Sequence, residues 1–82
     1  MKIVIVDDDR AAADALAQKL SAFDETQLCG IALNGMDGLR LVNETRPDVL
    51  FLDIELPDIS GIEFLERANI LPQYKCRTGL YT

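Results

Sequence analysis

Histidine is absent from this chain of 82 residues, and bases are few: eight Lys and Arg stand against fourteen Asp and Glu, a formal charge of −6. Surfaces that bind nucleic acid rely on clustered Lys and Arg to neutralise phosphates. The eight here are scattered, which argues against such a surface. No apolar run approaches the length of a transmembrane helix, and "MKIVIVDDD" meets three acids after a short apolar stretch, the wrong pattern for a signal peptide. The chain therefore reads as cytoplasmic. Cysteine is limited to Cys29 and Cys76, which have neither a metal-ligand spacing nor a secreted context and read as buried or half-buried thiols. What remains is enough for one small domain with 49% hydrophobic residues and little core to spare.

The hydrophobic period alternates along the chain. "KIVIV" is a nearly continuous run of β-branched residues, the pattern of a strand buried on both faces, and it stops at Asp7. From Arg10 to Phe23 the period becomes helical, with Ala12, Leu16 and Leu20 on one face and Asp9 placed to cap the first turn. "LCGIAL" is a second strand. Asn34, followed three residues later by Asp37, opens a second helix with Leu39 and Val42 inward, weakened by Gly38 and closed by Pro47. "DVLFLD" is a third apolar strand ending at Asp53. Ser60 and Glu63 form a capping-box pattern for a third helix over 61–68, with Ile62, Leu65 and Phe64 toward the sheet, and Pro72 lies past its end.

Strand and helix thus alternate as β-α-β-α-β-α, with connections suited to right-handed parallel crossovers, so the expected fold class is α/β with a doubly wound parallel sheet. In such sheets the functional crevice lies beyond the carboxyl ends of the strands, where the strand order reverses. Asp7, Asp8 and Asp9 follow the first strand and Asp53 ends the third. If those strands are neighbours, the acids converge. An acid triplet after a strand also fits a helix N-terminus favoured by the helix dipole. The second acid, at the equivalent end of another strand, is what points to a site. Clustered carboxylates repel unless a cation joins them, and a hard divalent ion such as Mg²⁺ suits two or three carboxylates plus a backbone carbonyl. A carboxylate beside such an ion could attack phosphorus to form an acyl phosphate.

"IVIVDDD", "NGMDGL" and "LFLDIELPDISGIEFL" together resemble the receiver domain of two-component response regulators, in order and in spacing, from Lys2 to about Leu71. The resemblance implies an incomplete flavodoxin-like (CheY-like) sheet of strand order 2-1-3-(4). It implies a non-enzymatic phosphoacceptor that controls an output, in most cases transcription, and that receives its phosphoryl group from a sensor histidine kinase. By the same resemblance Asp53 is the phosphoacceptor, Asp8 a direct Mg²⁺ ligand, Asp7 an acid acting directly or through water, and the backbone carbonyl of Glu55 a further ligand. Pro57 and Gly61 shape the loop after the phosphosite, although a stop to the strand and close packing at a helix start explain them equally well. The Ile54-Glu55 context and "SGIEFL" are similar to receivers joined to LytTR-type DNA-binding domains, so DNA is expected only through an output domain absent from this chain, and no membrane partner is expected.

Residues 1–82 are read as one truncated receiver domain, with 72–82 a degenerate strand-four region. The family pattern has five strands and five helices, a hydroxyl residue ending strand four and a Lys ending strand five. Thr82 falls near the hydroxyl position, but a chain terminus is a poor anchor. "YKCRTGLYT" is a poor strand four, because Thr78 and Gly79 interrupt it, and Lys75 precedes it. An open edge at the third strand or at a poor fourth strand, with an uncovered sheet face, then predicts self-association, as a dimer or higher. Two rivals differ in class. An aspartate-nucleophile phosphatase shares the second acid of "LDIEL" but needs a downstream Lys and further acids. A receiver-shaped interaction module that is never phosphorylated is the alternative function.

Overall fold

A computed structural model describes residues 1–68 and 77–81. The readings that fall on Pro72, Tyr74, Lys75, Cys76 and Thr82 lie outside the described residues. Seven elements follow one another: β1 (Lys2–Val6), α1 (Arg10–Leu20), β2 (Gln27–Ala32), α2 (Gly35–Thr45), β3 (Val49–Asp53), α3 (Gly61–Ala68) and β4 (Arg77–Tyr81). The strands form one parallel sheet in the order β2-β1-β3-β4.

Successive side chains of a strand point to opposite faces, so a strand buried along its length must be covered on both sides. In β1, Ile3 and Ile5 pack with Ala13 of α1 on one face. Val4 and Val6 join Leu39 and Val42 of α2 and Phe64 and Ala68 of α3 on the other. The chain crosses to one face through α1, then returns over the opposite face through α2, and the strand order reverses between β1 and β3. That junction is where the geometry of open α/β sheets opens a crevice. The register of β1 against β2 slips between Ile3 and Val4, whose partners are Leu28 and Gly30, so Cys29 sits at a bulge, half-buried against the larger core cluster.

Helix phases differ from the sequence reading in two places. In α1 the fully buried alanine is Ala13, with Leu16, Ala17 and Leu20 half-buried, whereas Ala12 is off the stripe. In α3 the inward stripe is Gly61, Phe64, Leu65 and Ala68, and Ile62 is 68% exposed. Both stripes follow the i, i+3, i+4, i+7 spacing of a core-facing helix, which Ile62 cannot share with Phe64 and Ala68. The first helix also stops at Leu20 rather than Phe23: Thr26 Oγ1 lies 2.9 Å from Leu20 O and 2.8 Å from Phe23 O, and these carbonyls close a turn instead of another helical round.

Caps are as the local sequence suggests. Asp9 accepts the amides of Ala11 and Ala12, and Ser60 Oγ accepts that of Glu63 at 3.0 Å, although the Glu63 carboxylate pairs with Arg67 at 2.9 Å. Arg46 ends α2 in the left-handed region, φ 49°, where its amide reaches Val42 O at 2.9 Å; the following Pro47 disfavours a right-handed helical conformation at that position.

Of the two strands expected at the open edge, the third and a poor fourth, it is β4 that lies there, its five residues paired with Val49 to Asp53. Parallel ladders are made of backbone groups. Gly79 and Thr78 weaken the strand's propensity yet keep their N–H and C=O, so the interruption seen in the side-chain pattern does not prevent pairing.

Candidate functional site

The site begins where β1 runs out. The amide of Asp7 still donates to Ala32 O at 3.0 Å, which extends the ladder by one residue and holds Asp7 at the sheet's end, 2% exposed. Its Oδ1 accepts the Asp9 amide at 2.9 Å, tightening the turn into α1. Asp9 is committed to its helix cap, and Asp8, between them, is exposed. Arg10, the nearest base in sequence, pairs with Asp14 at 3.3 Å.

Asp53 arrives from β3, next to β1 in the sheet, and is 9% exposed. Its Oδ1 accepts the Glu55 amide at 3.0 Å. One carboxylate oxygen from each of Asp7, Asp8 and Asp53 falls within 4.8 Å of the others. Burial pushes the Asp53 carboxyl above its usual range, and the hydrogen bond with Asp7 and the charges of Asp7 and Asp8 push the same way, against the Glu55 amide. Three acids held this close without a cation repel one another. An all-oxygen donor set with one exposed member fits a hard divalent ion that keeps part of its water.

The loop after Asp53 is tight. Glu55 faces Ser60 in an isolated antiparallel bridge, and the Gly61 amide donates to Ile54 O at 2.9 Å. A Cβ on Gly61 would lie 3.0 Å from Ile54 Cα and 3.4 Å from Asp53 O, so glycine permits this close return. Pro57 is exposed in the loop, and Leu56 and Ile59 are half-buried against the larger cluster. The structure thus brings Asp7, Asp8 and Asp53 together, places Glu55 and Pro57 in the adjoining loop and Gly61 at the first position of α3; Thr82 is outside the described residues.

Sequence reasoning missed two residues. Gly38 reads as a weak point in a helix, yet a Cβ there would sit 2.8 Å from both Phe64 Cε2 and Val6 Cγ2; its smallness lets α2 lie close to α3 and β1. Asp58 draws no reading from its local sequence, yet its Oδ1 accepts the Gly35 amide at 2.7 Å and its Oδ2 that of Met36 at 2.9 Å. The Gly35 amide above all, with those of Met36 and Ile59, holds its carboxyl below the usual range against a smaller desolvation effect. No local signal announces a cap that arrives from 23 residues away.

Comparison with known proteins agrees with this fold. Residues 3–76 match the family described as the response regulator receiver domain. A response regulatory protein of Vibrio cholerae is 42% identical over 65 residues, covering 79% of this chain and 27% of that protein. Transcriptional regulatory protein BtsR of Salmonella typhi is 40% identical over 65 residues, with the same coverage of 79% and 27%. The solved structure of a CheY-like response regulator receiver domain protein from Methanospirillum hungatei superimposes with a TM-score of 0.83 at 32% identity, covering 99% of this chain and 65% of that one. The chain spans about a quarter of the length of the curated relatives it matches.

Proposed function

This chain belongs to the response regulator receiver domain family, and from that premise we propose that it takes a phosphoryl group on Asp53, with Mg²⁺ held by Asp7, Asp8, Asp53 and the backbone carbonyl of Glu55. The observation that carries the proposal is the convergence of three carboxylate oxygens within 4.8 Å at the carboxyl ends of adjacent strands. The Glu55 amide fixes the rotation of the Asp53 carboxylate through Oδ1 and leaves Oδ2 outside that bond. An Asp53 oxygen attacks phosphorus, the new O–P bond gives an acyl phosphate, and the bond to the donor's leaving group breaks with its electron pair. When bound, Mg²⁺ supplies charge neutralisation for the transferring group. Asp7 and Asp8 hold the ion, and Pro57 and Gly61 shape the loop that carries Glu55.

Intact mass after treatment with a small-molecule phosphodonor, with and without Mg²⁺, tests this reading. Stoichiometric, Mg²⁺-dependent gain of one phosphoryl group supports it. Turnover of a phosphomonoester would make the chain an enzyme, and neither result would leave a receiver-shaped interaction module.

The two neighbouring acids have different tasks, and substitution separates them. Asp8→Asn is expected to weaken Mg²⁺ binding at least about tenfold, since it removes a charged ligand. Asp9→Asn keeps a good cap and changes affinity less than about twofold. Calorimetric titration decides, and loss of the ion in Asp9→Asn alone would mean that the acids are assigned one position out of register.

Receiver domains are signalling modules that histidine kinases phosphorylate and that act through output domains. For this chain the donor is a sensor histidine kinase and the output is transcription, with DNA contacted by a domain outside residues 1–82; the transcriptional regulator among its relatives supports that output. Among the described residues no helix is long and apolar enough to cross a membrane, and the place of action is the cytoplasm.

Self-association belongs to the same reading. On the α1 side of the sheet the described residues border an apolar groove of about 580 Å³, lined in part by Ile3, Leu20, Phe23 and Val49, with Phe23 62% exposed. A second copy seated there would cover it. Sedimentation at micromolar concentration is expected to show a dimer, and a single monomeric species that unfolds cooperatively in urea would refute it.

A further inference from the structure

We propose that Asp58 is a positioning residue for the cation site: by gripping the N-terminus of α2 it fixes the β3–α3 loop, and with it the Glu55 carbonyl. The inference rests on the phosphoacceptor reading above and extends it to a residue outside the acidic cluster.

An ordinary helix cap is the simpler account of the two amide bonds, and the geometry of α2 argues against it as the whole explanation. The helix already has a local cap: Asn34 Oδ1 accepts the Asp37 amide at 2.8 Å, and Asn34 O accepts that of Gly38 at 3.1 Å. Asp58 takes the two remaining amides, Gly35 and Met36, one on each carboxylate oxygen. A charged acceptor on two aligned donors makes a short, directional grip, strengthened by the positive end of the helix.

Packing closes the same joint. A Cβ on Gly35 would collide with Ile59 Cγ1 and stand 2.8 Å from Ile59 Cδ1, so the loop and the first turn of α2 meet too closely for any side chain between them. The loop is therefore fixed at three places. Asp53 anchors it to β3, the Ile54–Gly61 hydrogen bond ties its return to α3, and Asp58 pins its outer arm to α2. Glu55 lies between the first and the third of these. Its amide holds Asp53, and its carbonyl position follows from the same short span. Residues that orient metal ligands from outside the coordination sphere commonly govern affinity by about 10- to 100-fold.

The test uses the whole chain and two variants, with two measurements on each. In Asp58→Ala, Mg²⁺ affinity measured by calorimetry is expected to fall about tenfold, and hydrogen exchange at the Glu55 and Gly61 amides to accelerate while the β1 amides keep their protection. Asp58→Asn can keep the oxygen that serves Gly35 and Ile59 but loses the acceptor for Met36, so its effects are expected to fall between parent and alanine. If the alanine variant does not fold, the asparagine variant decides alone. Unchanged affinity and unchanged Gly61 exchange in a folded variant would overturn the inference, as would an affinity loss matched by equal deprotection of the β1 amides, the mark of a purely global effect. A parent chain that binds no Mg²⁺ would instead overturn the phosphoacceptor reading, and this inference with it.

Discussion

Asp53→Asn is expected to abolish phosphoryl uptake while leaving the domain folded. The amide has nearly the shape of the carboxylate and can keep its oxygen on the Glu55 N–H, now 3.0 Å from Oδ1, so the turn after β3 has no reason to reorganise. It has no anionic oxygen to attack phosphorus, and the one acid that shares its burial and its two neighbouring carboxylates, Asp7, follows β1 rather than ending β3, where the family resemblance puts the acceptor. Asp7 and Asp53 each accept one backbone amide through Oδ1, from Asp9 and from Glu55, and Asp8 is exposed at the head of the turn. The substitution also removes one of three mutually repelling charges. Without Mg²⁺ the variant is therefore expected to be at least as stable as the parent in urea. Mass analysis after phosphodonor treatment is the check, and labelling equal to the parent would remove Asp53 from its role.

The largest effect on stability is expected at Phe64. Its ring is 0% exposed, between the Gly38 turn of α2 and Val6 of β1, in the cluster that joins α2 and α3 to the sheet. Truncation of a buried Phe to Ala costs about 3–5 kcal/mol through lost burial and the cavity left behind. A domain of this size has a total stability of only about 4–12 kcal/mol, so Phe64→Ala is expected to remove much of it and move the urea midpoint sharply down. Ile62→Ala, on the solvent side of the same helix, is expected to change stability by less than about 0.5 kcal/mol. The pair fixes the helix phase: a greater loss at Ile62 than at Phe64 would mean that α3 presents a different face to the sheet.

That pair also shows where the sequence stops being legible. The change of period from two to 3.6 marked three strands and three helices, because those patterns follow from local geometry, and Asp9, Asn34 and Ser60 declared themselves as caps because a cap acts on its own helix. The convergence of the acids at the ends of β1 and β3 was readable once the sheet order was granted, and the order came from the family resemblance. Helix phase was harder. Ala11, Ala12 and Ala13 are chemically alike, so nothing in the sequence selects the one that faces Ile3 and Ile5. Ile62 and Phe64 are both apolar, and only Gly38 on the facing helix makes room for the ring. Gly38, Asp58 and β4 share one cause: each is explained by a partner distant in the chain. Propensity sees a weak helix residue, an acid with no role and a broken strand, while the fold uses a gap, a grip and a row of backbone donors and acceptors.

The order β2-β1-β3 also has a consequence in time. Ribosomes extend a chain at roughly 5–20 residues per second, so Asp7 and Asp8 exist for seconds before Asp53 is made. Until β3 is made β1 can pair only with β2, and its other edge is the one that β3 fills by pairing Ile3 to Val6 with Val49 to Leu52. A nascent chain that ends before Val49 therefore has neither the acidic cluster nor a closed core. Its Ile3 to Val6 edge is then apolar and open to pairing with another strand.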